Sequence, residues 1–130
     1  MSDYMTKIRD LTTYSRRVNL VAKILETGDV REVSSSSDGQ LHRVAEALVG
    51  DETGTVLLTL WDENIDRFGV GDVVEVENGY AGTFRGSLRL NVGKYGNIEK
   101  KNVTIEEVNT ENNLSEREYR RQYPQRRQRF

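Results

Sequence analysis

The 130-residue chain has no cysteine, and only one histidine, one tryptophan and one proline. Without cysteine there is neither a disulfide framework nor a thiolate metal site, and the absence fits a reducing interior. No apolar run approaches the ~20 residues needed to cross a bilayer. Residues 1–10 carry no apolar signal-peptide core, so a cytoplasmic protein is expected. Hydrophobic residues make up 35% of the chain and the mean hydropathy is -0.69, low enough that part of the chain should lie outside any core. The length suits one domain. Catalytic groups are also scarce. His42 stands beside Arg43 in a strand-like stretch, as a surface or groove residue would. The carboxylates show no ligand spacing for a metal. Gly69-Val70-Gly71 lacks the Lys-Ser/Thr of a phosphate-cradling loop. No enzyme activity, metal or cofactor is expected.

What is present is unevenly distributed. The net charge of -2 hides a segregation. Residues 51–79 carry eight acids against Arg67, a net of -7. Residues 85–101 carry five bases against Glu99, and residues 114–130 carry six arginines against Glu116 and Glu118, each a net of +4. An electrostatic footprint for an anionic chain needs one basic face and not a basic protein.

Apolar periodicity predicts short strands. Before the first, Ile8 and Leu11 stand three apart and suit one helical turn. Residues 16–26 alternate with both faces partly apolar, as in a long strand shared between two sides of a barrel. Residues 30–33 continue it, and the SSSSDG run at 34–39 reads as a hairpin connection. The second strand is 41–50. Asp51-Glu52-Thr53-Gly54 reads as a tight turn with a positive φ at Gly54. In the third strand, 55–60, Val56, Leu58 and Leu60 form one face. Strand parity then puts Trp61 on the other, with Thr55, Leu57 and Thr59. Asp62 is the expected N-cap of a helical turn over 62–68, with Ile65 and Phe68 inward. The fourth strand is 73–78, ended by Asn78-Gly79 as a turn. The fifth is 87–92, with Ser87, Arg89 and Asn91 outward. Residues 93–101 add an edge segment through Tyr95 and Ile98.

Five strands with a short helix between the third and fourth predict an all-β domain closed as an OB-fold barrel. Its ligand groove lies over strands two and three, flanked by the first-second and fourth-fifth loops. Trp61 ends strand three, and Tyr80 and Phe84 fall in the fourth-fifth connection, so all three map to that groove. The phase of Phe84 is open. Alternation back from Leu88 points it inward, whereas a bulge at the neighbouring glycines points it out.

Three strings, VNLVAKILE, VAEALVGDETGTVLLTLWDENIDRF and VGDVVEVENGYAGTFRGSLRLNVGKYG, resemble the short single-domain single-stranded DNA-binding proteins of archaea. They also resemble the related OB domains of archaeal replication protein A and of the eukaryotic sensor-of-single-strand complex. The resemblance covers about residues 7–101. It implies sequence-tolerant binding of single-stranded DNA in replication, recombination or repair, with Trp61, Tyr80 and Phe84 stacking on bases. Arg85, Arg89 and Lys94 are expected at phosphates, with Arg43, Arg31 and Asn91 as further groove candidates. Three rings suit about three to five nucleotides, near the lower end of the ~4–16 typical of one OB fold. The acidic run at 51–77 is expected away from the groove.

Two other readings use the same residues. One is an RNA-binding OB module, since bases stack alike and 2′-hydroxyl contacts tell the two nucleic acids apart. The other is a protein adaptor. The expected domain spans 1–108. Residues 109–130 form an expected disordered, arginine-rich tail that cannot bury enough apolar surface to fold alone and suits nucleic acid or replication and repair proteins. A monomer is expected for the free protein.

Overall fold

The computed structural model describes residues 5–34, 38–93 and 95–116. It contains strands β1 (Arg16–Thr27), β2 (Arg31–Ser34), β3 (Leu41–Asp51), β4 (Gly54–Trp61), β5 (Val73–Phe84), β6 (Ser87–Asn91) and β7 (Asn97–Lys101). The helix α1 (Glu63–Arg67) lies between β4 and β5. Five strands close into a barrel in the order β1-β3-β4-β6-β5, and β5 returns to β1. The β4–β6 pairing is parallel and the others are antiparallel. β2 extends the sheet beside β3, and β7 lines the outer edge of β5. Among the described residues no helix is long and apolar enough to cross a membrane.

The core follows from strand alternation. Leu20, Ala22 and Ile24 of β1, Val56 and Leu58 of β4, Val74 and Val76 of β5, and Leu88 and Leu90 of β6 are all fully buried. Burying such a side chain contributes roughly 1.5–3 kcal/mol. The turn Ile8–Asp10 seals one end of the barrel through Ile8 and Leu11.

The expected break at Asn78-Gly79 is a bulge inside one long strand. Asn78 adopts φ 57°, and its N–H donates to Oδ1 of Asn19 at 2.9 Å. Val18 pairs with Gly79 but Leu20 with Val76, so β5 carries one extra residue there. Asn-Gly favours left-handed backbone, which serves a bulge as well as a hairpin. The bulge bends β5, whose first half pairs with β1 and β7 and whose end pairs with β6. The hairpin turn lies further on, at Arg85-Gly86, where φ is 54° and 82°. Two positive φ angles flanked by the Phe84–Ser87 pair describe a two-residue type I′ turn.

Residues 109–116, expected in the tail, pack on the barrel as a strap. Asn109 N–H donates to the Asp51 carbonyl at 3.0 Å, and Thr55 N–H to the Asn112 carbonyl at 2.9 Å. Leu114 is fully buried. The strap explains Gly54, which is not at a positive φ. A Cβ there would lie 2.8 Å from the Asn112 carbonyl oxygen. The turn before it is held by Asp51, which is buried and not solvated. Its carboxylate accepts from Thr53 N–H at 2.8 Å, Thr53 Oγ1 at 2.6 Å and Ile8 N–H at 3.1 Å. The flexibility expected of residues 117–130 lies outside the described residues.

Candidate nucleic-acid interface

Cross-strand partners share a face, so register builds the site. Glu46 pairs with Thr59, Thr59 with Asn91, and Asn91 with Tyr80, making one row across four strands. The next row runs from Leu57 through Arg89 to Gly82, and the hairpin end adds Ser87 opposite Phe84. At the other end Trp61 pairs with Val44. Trp61, Tyr80 and Phe84 are 43%, 40% and 44% exposed, so none belongs to the core. All three line one hollow of about 440 Å³, together with Arg31 and Val33 of β2. Tyr80 and Phe84 sit on the β5 arm of the hairpin and not in a loop. The two-residue turn decides the phase of Phe84. Residues 85 and 86 leave the ladder, so Phe84 faces the same way as Ser87 and opposite to Leu88.

Phe84 is ringed by cations. The guanidinium carbons of Arg85, Arg89 and Arg31 lie 5.2, 5.6 and 5.9 Å from its centroid, within cation–π range. Arg89 is also clamped on the groove floor. Its Nε donates to Glu46 at 2.6 Å, and Nη1 donates to Ser87 Oγ. Glu46 therefore neutralises Arg89, the arginine on the groove floor. Its alternation with Val44 was the available signal for it, masked by the absence of any registered partner in the linear sequence. Gly82 leaves open space between Tyr80 and Phe84, since a Cβ there would have no atom within 4 Å. Gly93 shapes Tyr80 from behind: it has φ 80°, and a Cβ there would lie 2.7 Å from Tyr80 Cε1. Nothing in the linear sequence marks that contact.

Arg43 is not in the groove. Its alternation sets it on the face of Ala45, opposite Val44, and its guanidinium pairs with Asp66 at 2.8 Å. It acts on the groove indirectly. Arg43 N–H donates to Asp62 Oδ1 at 3.0 Å, Arg43 Nη2 to the Asp62 carbonyl at 3.0 Å, and Asp62 N–H to the Arg43 carbonyl at 2.9 Å. These bonds hold Asp62 at φ 52° and ψ -122°, a region rare for any residue but glycine, and so fix the chain just after Trp61. Asp62 makes no side-chain cap for α1, because its carboxylate is turned to β3 instead. Lys94 lies outside the described residues.

Residues 11–100 match the family model described as single-stranded DNA binding protein Ssb-like, OB fold. The chain belongs to this Ssb-like OB-fold family. The single-stranded DNA binding protein Ssb of Saccharolobus solfataricus is 34% identical over 87 residues, 67% of this chain and 57% of that protein. The chain thus spans little more than half the length of that relative. The solution structure of hypothetical protein F20O9.120 from Arabidopsis thaliana superposes with a TM-score of 0.75 at 32% identity, covering 88% of this chain and 85% of that one. The second OB-fold domain of replication protein A from Methanococcus maripaludis gives a TM-score of 0.62 at 26% identity, covering 78% and 98%.

In this Ssb-like domain the groove continues past Trp61 and Tyr80, which also line a second hollow with His42, Asp62, Glu63 and Asn97. Part of the acidic run therefore borders the groove. His42 is held between two carboxylates, Nδ1 to Asp62 at 2.8 Å and Nε2 to Asp38 at 3.0 Å. These bonds, Asp62 first, raise its pKa above the ordinary histidine value. The Arg43 backbone N–H, and then His42, hold the Asp62 carboxyl below the usual carboxylate range.

Proposed function

We propose that the groove binds single-stranded DNA with little sequence preference, in replication, recombination or repair. The observation that carries this reading is three half-exposed rings on one face, with arginines gathered at one end. The S. solfataricus relative's name, single-stranded DNA binding protein, supports it. Stacking contributes about 1–3 kcal/mol per base and tolerates any base, because every base has a π-face. Bases stack on Trp61, Tyr80 and Phe84. A base that covers Phe84 displaces one of its guanidiniums, and Arg31 or Arg85 then turns to a phosphate. The carboxylates of Asp62 and Glu63 disfavour phosphate at the opposite end, so the backbone is held chiefly near Phe84. A duplex hides its base faces and gains only the charge contacts.

The test is a titration of the full chain and of Trp61→Ala with oligo-dT, oligo-U and duplex DNA at fixed salt. Oligo-dT should bind best and quench Trp61 fluorescence, and Trp61→Ala should weaken it about tenfold, the lower part of the stacking range. Tighter binding to oligo-U would make the domain an RNA module. No binding to either strand at low salt would leave the adaptor reading.

A further inference from the structure

The row of paired residues on the groove face does not end at Tyr80. Glu46, Thr59, Asn91 and Tyr80 follow one another across β3, β4, β6 and β5, and closure of the barrel pairs Tyr80 next with Arg16 of β1. Arg16 therefore stands on the outer side of the barrel, one strand spacing or about 4.8 Å beyond Tyr80. It is exposed, as is Arg17 after it, while Val18 is buried.

Arg16 Nη1 donates to the carbonyls of Ser15 and Ala81, at 3.1 and 3.3 Å. Carbonyls orient the guanidinium without neutralising it. Among the described residues neither Arg16 nor Arg17 has a carboxylate within ion-pair distance. Arg43 and Arg89, by contrast, are paired with Asp66 and Glu46. Arg17 adopts φ 54° where β1 is bulged between its pairings to Tyr80 and Gly79. Left-handed backbone is rare for arginine, and an exposed side chain there adds nothing to the core, which suits a residue whose contact lies outside the fold. Just before the pair, the turn from Thr12 to Ser15 is closed by Ser15 N–H on the Thr12 carbonyl at 3.2 Å. It leaves Tyr14 more exposed than any of the three groove rings. The same segment is tied to β5, because Ala81 N–H donates to the Ser15 carbonyl at 2.9 Å. One ring and two uncompensated cations thus lie beside the β5 arm that carries Tyr80.

We propose that Tyr14, Arg16 and Arg17 form a second contact for a single strand, continuing the groove across Tyr80 onto β1. Arg16 and Arg17 hold phosphates, and Tyr14 stacks on a base. A single strand offers both, since its π-faces are open along an anionic chain. The carboxylates of Asp62 and Glu63 repel phosphate past Trp61, so a strand leaving Tyr80 is turned toward β1 instead. This rests on the groove being a single-strand site.

The test titrates the full chain, Arg16→Gln/Arg17→Gly and Tyr14→Ala with oligo-dT of about five nucleotides, which the three rings can fill, and of about twelve. Glycine suits φ 54° better than arginine, so the double variant should keep the fold. All should bind the short strand alike. On the long strand the arginine variant should be about tenfold weaker at low salt. Its log–log salt slope should be shallower by about 1.4, the loss of two phosphate contacts at ~0.7 each. Tyr14→Ala should bind the long strand about fivefold more weakly with its slope unchanged, because stacking carries no charge. Variants that match the full chain at both lengths would overturn the proposal. So would an equal loss at both lengths, which would mean that these residues act only by seating Tyr80. Trp61→Ala in the same titrations separates the two readings. If it changes nothing while the arginine variant still loses long-strand affinity, the groove reading fails and the β1 contact stands.

Discussion

Single side chains in the groove carry opposing demands. Arg85 occupies a left-handed position at the tip of the β5–β6 hairpin, which costs a non-glycine residue roughly 1–2 kcal/mol. Asn suits that position in a type I′ turn better than Arg. Arg85→Asn should therefore raise stability by up to about 1 kcal/mol in urea unfolding while weakening single-strand binding. Stability and affinity moving together would show that Arg85 is only a turn residue. Glu46 is the converse case, a carboxylate on the floor of the groove proposed to take an anionic strand. Glu46→Gln should tighten oligo-dT binding a few-fold, since a partly exposed charge pair is worth about 1 kcal/mol or less, and should steepen the salt dependence. Weaker binding would mean that clamping Arg89 matters more than its neutralisation.

His42 adds a pH dependence. Its pKa is raised in the folded state by Asp62 and Asp38, so its contribution to stability is complete below the unfolded value near 6.5 and is lost as pH rises through the higher folded value. Asp62, whose pKa is lowered, contributes above its unfolded value and loses that contribution as pH falls through its folded value. The cluster is thus strongest in mildly acidic solution. Thermal unfolding from pH 5.5 to 8.5 should show a decline in Tm above about pH 6.5 that His42→Gln abolishes. An equal decline in both proteins would place the titration elsewhere.

Among the elements, β5 and the strap departed most from expectation, for related reasons. Asn78-Gly79 satisfies a turn and a bulge equally, and Asn19 and β1, far away in sequence, select the bulge. The strap has few aliphatic residues, and its one large apolar anchor, Leu114, gives no periodic signal. It is held by backbone pairing to β4 and by Ser115, which a linear reading cannot register. The strap leads to a direct test at Gly54. Gly54→Ala would force a methyl group against the Asn112 carbonyl and should cost about 1–3 kcal/mol in urea unfolding, as overpacking usually does. A neutral effect would mean that the strap yields there. Trp61, by contrast, was legible from β4 alone, because an eight-residue strand with three buried aliphatic residues on one face leaves no choice for its end.

For the molecule as a whole, residues 1–116 carry 13 bases against 20 acids, a net of -7, so the proposed single-strand binding depends on where the cations lie and not on how many there are. Arg31 reaches the Phe84 ring from β2, and Arg85 and Arg89 reach it from the hairpin turn and β6, far later in the chain. Arg85 follows Phe84 directly and Arg89 belongs to the same hairpin, so Arg31 is the one member of the ring that the tertiary fold has to bring in. Screening should therefore act strongly on the binding of a single strand and weakly on folding, which rests on the apolar interior.

Alternation at 2 residues was enough to place the barrel strands apart from the second half of β5, their inward faces, the all-β class and the outward side of Trp61, because a pleated strand exposes each face at that period whatever it pairs with. Pairing was not specified. The site of the hairpin turn, the outward phase of Phe84, the neutralisation of Arg89 by Glu46, the diversion of Arg43 to Asp62 and Asp66, and the packing of residues 109–116 all depend on which strand lies beside which. The turn and the phase of Phe84 are settled by pairing within one hairpin, and the others are contacts between distant parts of the chain that the closed sheet brings together.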